Sequence, residues 1–265
     1  MIVYCCENSM ESIFTAIYRA YEERRDHSKT RIDLEEEYYL FAEYIPVAAE
    51  AGKAQKVARS VRKRFGEKDY LTLCYALASY KPQKGQAVYQ TIVKAISGRW
   101  PAGRIFEHLA DRDVYESFAM ARETKNELHH MMGFLRFQEM KNGILYAQFR
   151  PKNDLMIFLL EHFADRFPME NFLILDRQRK LYGIHPAGKD WYLAYREQET
   201  HDEGEKGEEE FLNVEAEYSV QEEKIQLLFR QFVKSIAIEE RKNETLQKQL
   251  LPLRFRPFMC EFPNT

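Results

Sequence analysis

The hydrophobic pattern of this 265-residue chain changes its period at Gly133, and that change limits the folds open to it. Before Gly133 apolar residues recur at helical spacing; after it they alternate as in strands. Phe134 to Glu139 reads as a strand, Asn142-Gly143 as a two-residue hairpin turn, and Ile144 to Arg150 as the returning strand. Pro151 ends that strand, and Asn153 is placed to cap a helix from Asp154 to Phe167. Phe172–Leu175, Lys180–Ile184 and Trp191–Tyr195 follow as strands, with turns at Arg177-Gln178 and Pro186–Asp190. The order is ββαβββ, and the short connections predict an antiparallel sheet with packed helices.

The N-terminal half reads mostly as helix. Ile2–Cys6 is a short strand, and Asn8 or Ser9 caps a helix running to Arg24. Tyr38–Val47 is aromatic-rich and expected to be extended. Helices are expected near 50–65, 68–80 and 84–98, with short helices from 104 to 130 after the break at Trp100-Pro101 and Gly103. Ser219 is placed to cap a last helix ending at Ile236. The fold class is therefore α+β. A helix-rich region at 1–110 precedes an α+β core at 111–265, which holds an acidic loop at 197–217 and a basic-aromatic C-terminal arm. Hydrophobic residues at 45% supply a core. The longest stretch without Asp, Glu, Lys or Arg, Tyr70–Tyr80, is far short of the ~20 apolar residues of a spanning helix. No basic leader opens the chain, and Cys5, Cys6, Cys74 and Cys260 form no CxxC pair, so a cytoplasmic protein with reduced thiols is expected.

Charge is distributed unevenly. Residues 51–110 carry 12 basic and 3 acidic groups, while 197–223 carry 1 and 12. The basic block contains Lys53, Lys56, Arg59, Arg62, Lys63, Arg64 and Lys68, with 56, 59 and 63 on one helical face. Such a face is the electrostatic footprint of a phosphate-backbone binder, and equally a solvated helix surface. The C-terminal run interleaves Arg241, Lys242, Lys248, Arg254 and Arg256 with Phe255 and Phe258, a pattern that suits phosphates and bases or a strap across the domain.

Five further residues form a candidate pocket. His162 and Arg166 share a helix face with Leu155, Phe158 and Leu159, where a charge needs a partner. They read either as a structural pair or as a phosphate clamp beside a proton donor. His129 stands at an expected helix end, Arg136 on the following strand, and Asp176 at a strand end where turn aspartates are also common. No Walker, Rossmann or nucleophile-elbow motif occurs. Adjacent His129 and His130 diverge by roughly 100° on a helix. Neither a cofactor nor a metal is expected.

GFLRF at 133–137, FRP at 149–151, EHFADRF at 161–167 and FLILD at 172–176, with IAIEERKN and PLRFRPF near the C-terminus, resemble a bacterial family of DNA metabolism or DNA repair proteins. Its core is the domain of unknown function 4130, in some members fused to uracil-DNA glycosylase domains. The stand-alone form is typically encoded beside a radical-SAM DNA modification or repair protein. The resemblance covers nearly the whole chain, with the core at 112–260. It implies a DNA context and maps the family's recurring polar positions onto His129, Arg136, His162, Arg166, Asp176, Arg241 and Arg254. The chain departs from the motif at His129-His130, where the family has His followed by Arg. The expected function is a DNA-binding accessory protein whose partners are DNA and a radical-SAM DNA repair protein, with no membrane. The alternatives are a glycosylase, nuclease or lyase using the His/Arg pocket, and a protein-interaction scaffold.

Overall fold

The computed structural model describes residues 1–34, 38–98, 100–101, 103–195, 218–236 and 243–262. They group into two compact units, Met1–Glu127 and Leu128–Thr265.

The first unit is built on a parallel sheet. β1 (Ile2–Cys6) lies between β2 (Thr30–Asp33) and β3 (Glu43–Val47), in the order β2-β1-β3. Val3 and Tyr4 point to opposite faces of β1, and both are fully buried. Parallel sheets require this cover on both sides. α1 (Met10–Glu22) connects β1 to β2. Its N-terminus is closed by Ser9, whose Oγ accepts the Ser12 N–H at 3.1 Å. Ile13, Phe14 and Ile17 form its buried stripe.

α2 (Ala51–Phe65), α3 (Glu67–Leu77) and α4 (Lys84–Ile96) stand where helical spacing places them. Gly66 separates the first two. At φ +81° its N–H donates to the Arg62 carbonyl at 3.0 Å, a conformation glycine adopts without strain.

Two expectations in this half need correction, and one strand was not foreseen. The strand not foreseen in this helix-rich half is β2, four residues whose only fully buried apolar side chain is Ile32. So short a strand owes its form to pairing with β1, not to its own pattern. Of the stretch Tyr38–Val47, only Glu43–Val47 is strand. The short helices expected over 104–130 are a 3-10 turn, Ile105–Glu107, and one 23-residue helix, α5 (Arg112–Phe134). No proline or glycine interrupts α5 before Gly133, and the unit boundary falls inside it.

The second unit carries a five-stranded sheet, order β4-β5-β6-β7-β8. Because α5 continues through Phe134, the strand expected over 134–139 shrinks to β4 (Gln138–Glu139). The hairpin forms, but through the three residues Lys141–Gly143 instead of the expected two-residue Asn142-Gly143 turn, since Glu139 pairs with Leu145 and only Gly143 of the turn has a positive φ. Met140 N–H donates to the Ile144 carbonyl at 2.9 Å, and Gly143, at φ +77°, closes the turn onto Met140. β5 (Leu145–Phe149) leads through α6 (Met156–Arg166) to β6 (Phe172–Asp176), followed by β7 (Leu181–His185) and β8 (Tyr192–Tyr195).

The α+β class and the ββαβββ order hold, but the sheet is mixed. β5 and β6 pair in parallel, while the pairings on either side are antiparallel. The connection through α6 is long enough for the crossover that parallel strands demand. α6 lies directly on β7: a Cβ at Gly183 would come within 2.7 Å of Leu160 and Met156 side chains. α6 starts after Leu155 with no side-chain cap, and Asn153 is buried.

Ser219 caps α7 (Val220–Ile236) by accepting the Glu222 N–H at 3.0 Å. A further helix not foreseen from sequence, α8 (Glu244–Leu250), is capped by Asn243. A 3-10 turn, Leu253–Phe258, completes the arm. The acidic loop 197–217 lies outside the described residues. No described helix is long and apolar enough to cross a membrane.

Candidate functional site

α2 presents the basic block to solvent. Ala54, Val57, Val61 and Phe65 are buried, at spacings of one helical turn, and seat the helix against α1. The opposite side carries Lys56, Arg59, Arg62, Lys63 and Arg64, all exposed, with Lys53 half-buried.

Their partners differ. Lys53 Nζ is held by Glu50 at 2.9 Å, a hydrogen bond that raises its pKa. Arg62 clamps Glu67 through Nε and Nη2, and this holds the Glu67 carboxyl below the ordinary range. Arg64 Nη2 donates to the Ile96 carbonyl at 2.9 Å. The Lys56 ammonium lies over the Tyr18 ring, 5.3 Å from its centroid. Among the described residues, the Arg59 and Lys63 side chains have no hydrogen bond, ion pair or ring contact.

Helix stability accounts for part of this pattern. Cations in the last turn, here Arg62, Lys63 and Arg64, favour the helix through its dipole. That effect fades within one turn, so it leaves Lys56 and Arg59 unexplained. Lys56, Arg59 and Lys63 form one exposed stripe available to an anionic polymer.

Each of the five pocket residues has its own surroundings. His129 is exposed on α5, its ring 6.5 Å from that of His130. Arg136 clamps Glu261 through Nε and Nη2 at 2.9 and 2.8 Å and donates from Nη1 to the Gly133 carbonyl. His162 is half-buried with its ring against the edge of Phe163. Arg166 is exposed, its guanidinium 5.6 Å from the Phe167 centroid.

Asp176 is fully buried. It accepts the Gln178 and Arg179 N–H groups at 2.8 and 3.2 Å and pairs with Arg179 Nη1 at 2.9 Å. These bonds anchor the β6–β7 turn. The crossover separates it from Arg166: α6 ends near the start of β6, and Asp176 stands at the far end of that strand, about 13 Å along it at ~3.3 Å per residue. Among the described residues, no hydrogen bond, ion pair or ring contact joins any two of the five.

The arm divides likewise. Arg254 is exposed, its guanidinium 4.5 Å from the Phe255 centroid. Arg256 is buried, over the Phe262 ring at 4.9 Å. The turn that carries it is packed beside Phe255 and Met259, both in the core. Arg241 and Lys242 lie outside the described residues.

Sequence reasoning missed one surface. On α7, Ile225, Leu228 and Phe232 are exposed and share a face, away from the packed residues Glu222, Gln226 and Arg230. Their helical spacing is visible in the sequence, but it equally describes a buried stripe.

Residues 82–261 match the model of a protein family described as DUF4130, a domain of unknown function. No curated protein and no solved structure matches the chain. The matched span takes in α4, α5 and the second unit up to Glu261, and α2 lies before it.

Proposed function

We propose, on the premise that the chain belongs to the DUF4130 family, that it is a DNA-binding accessory protein in DNA repair or modification. The observation that carries the reading is the exposed stripe Lys56, Arg59 and Lys63 on α2, in which Arg59 and Lys63 have no partner among the described residues. Three unneutralised cations on one helix face match the spacing and charge of a phosphate backbone. Arg62 and Lys53 are weaker candidates than their sequence position implies, since Glu67 and Glu50 already neutralise them.

On this reading the chemistry belongs to a partner enzyme, and the resemblance names a radical-SAM protein. The exposed apolar residues Ile225, Leu228 and Phe232 support a protein partner, because grouped apolar surface of this kind marks association sites. The enzyme alternative needs its acid, base and phosphate clamp around one substrate; among the described residues no hydrogen bond or ion pair links any two of the five pocket residues, and Arg136 and Asp176 are each held by another partner.

The test is salt-dependent binding of the purified protein to single-stranded and duplex DNA. Three phosphate contacts predict a log–log slope of about −3 on duplex. Binding that is absent at low salt, or indifferent to salt, overturns the reading.

A further inference from the structure

We propose that Arg256 is a receptor for a phosphate group, and that its source is the terminal phosphate of a DNA strand. Arg256 is only 7% exposed, and its Nε and Nη2 atoms are buried without a hydrogen-bond partner. These two N–H groups lie along one edge of the guanidinium plane, the edge that takes an oxyanion side-on. The molecule uses that edge repeatedly: Arg136 holds Glu261 by it, and Arg62 holds Glu67.

A guanidinium stays charged at every working pH, and a buried charge without an acceptor is strongly unfavourable. The nearest acid in sequence is already engaged. Glu261 Oε1 is taken by Arg136, and its Oε2 accepts from Cys260 Sγ at 3.5 Å. An external oxyanion completes the site.

The charge favours phosphate. The turn Leu253–Phe258 carries Arg254 and Arg256 and no acid. A terminal phosphate, at about −1.5 to −2, matches two cations. It also reaches a nearly closed site oxygen-first, whereas an internal phosphodiester is flanked by nucleotides on both sides. The closed edge means that the turn opens as the phosphate enters.

The DNA source rests on the DNA-binding reading; the phosphate affinity of Arg256 does not. The experiment uses the full-length protein and four probes. These are one single-stranded oligonucleotide bearing a 5′-phosphate, a 3′-phosphate or only hydroxyl ends, and inorganic phosphate. A terminal phosphate at one of the two ends is expected to tighten binding about tenfold or more over the hydroxyl strand. Arg256→Gln and Arg256→Lys, each checked for cooperative unfolding, are expected to bring that ratio to one. Charge reversal on α2 should lower affinity for every strand and keep the ratio.

Equal affinity for all three strands, with inorganic phosphate raising the Tm of the wild type but not of Arg256→Gln, assigns the site to free phosphate and overturns the DNA source. Equal affinity with no effect of inorganic phosphate overturns the site. Should the variants not fold, the wild-type ratio and the phosphate thermal shift decide the matter by themselves. No binding to any strand defeats the DNA reading, and the inorganic phosphate arm then reads Arg256 separately.

Discussion

The two basic segments of this chain look alike in sequence and behave oppositely in the fold. Lys56, Arg59 and Lys63 become one exposed face of α2, whereas the arm's two described arginines part: Arg254 faces solvent and Arg256 is enclosed. α2 keeps its cations outside because every third or fourth residue is apolar and buried, which turns the remainder outward. The arm is a short 3-10 turn, where alternate residues have no such fixed sidedness. Charge density therefore says little about phosphate contact until the apolar frame around it is known.

The sharpest way to break the comparison is to dissolve the frame of the arm. Phe255→Ala removes a ring that is 3% exposed and is expected to cost about 3–5 kcal/mol, read by urea denaturation of the full chain. A loss below 1 kcal/mol would mean that the turn is not held by packing.

Next in size is the α2 stripe. Lys56→Glu, Arg59→Glu and Lys63→Glu together are expected to weaken duplex binding on the order of a hundredfold and flatten the salt slope by about 3. Arg254→Glu in the arm should change duplex affinity by only about threefold. Equal losses at both places would erase the distinction between the segments.

The arm's clamp comes third. Arg136→Ala leaves Glu261, whose side chain is 9% exposed, without its guanidinium. Because Arg136 is itself partly exposed, the expected loss is about 1–2 kcal/mol, with Arg136→Lys recovering only part of it. Full recovery by lysine would show that charge alone matters and not the side-on geometry.

The smallest effect tests neutralisation on α2. Glu67→Gln frees Arg62 and is expected to tighten DNA binding about threefold and to steepen the salt slope by about 1. Unchanged binding would place Arg62 outside the interface.

Much of the fold was legible where local rules operate. α2, α3 and α4 follow from periodicity, the presence of a hairpin at Gly143 from that glycine's positive φ, and the Ser9 and Ser219 caps from hydroxyls placed before the helices. β2 was not legible, because four residues hold strand geometry only through β1. The parallel β5–β6 pairing was within reach, since a helix between two strands is itself a crossover signal. The candidate site divides in the same way. Lys56, Arg59 and Lys63 could be placed on one face from spacing. The engagement of Arg136 could not, since Glu261 reaches it from 125 positions away.

By itself the sequence determined the helix faces, the turn glycines and the caps, because those depend on φ/ψ preferences and side chains a few residues apart. Only the tertiary structure decided which charges are free. Glu67 neutralises Arg62 across a glycine break between two helices, Glu261 reaches Arg136 from 125 positions away, and Arg256 is enclosed by the packing of its own turn. Electrostatic function depends on exposure and on partners in space, and neither is a property of local chain chemistry.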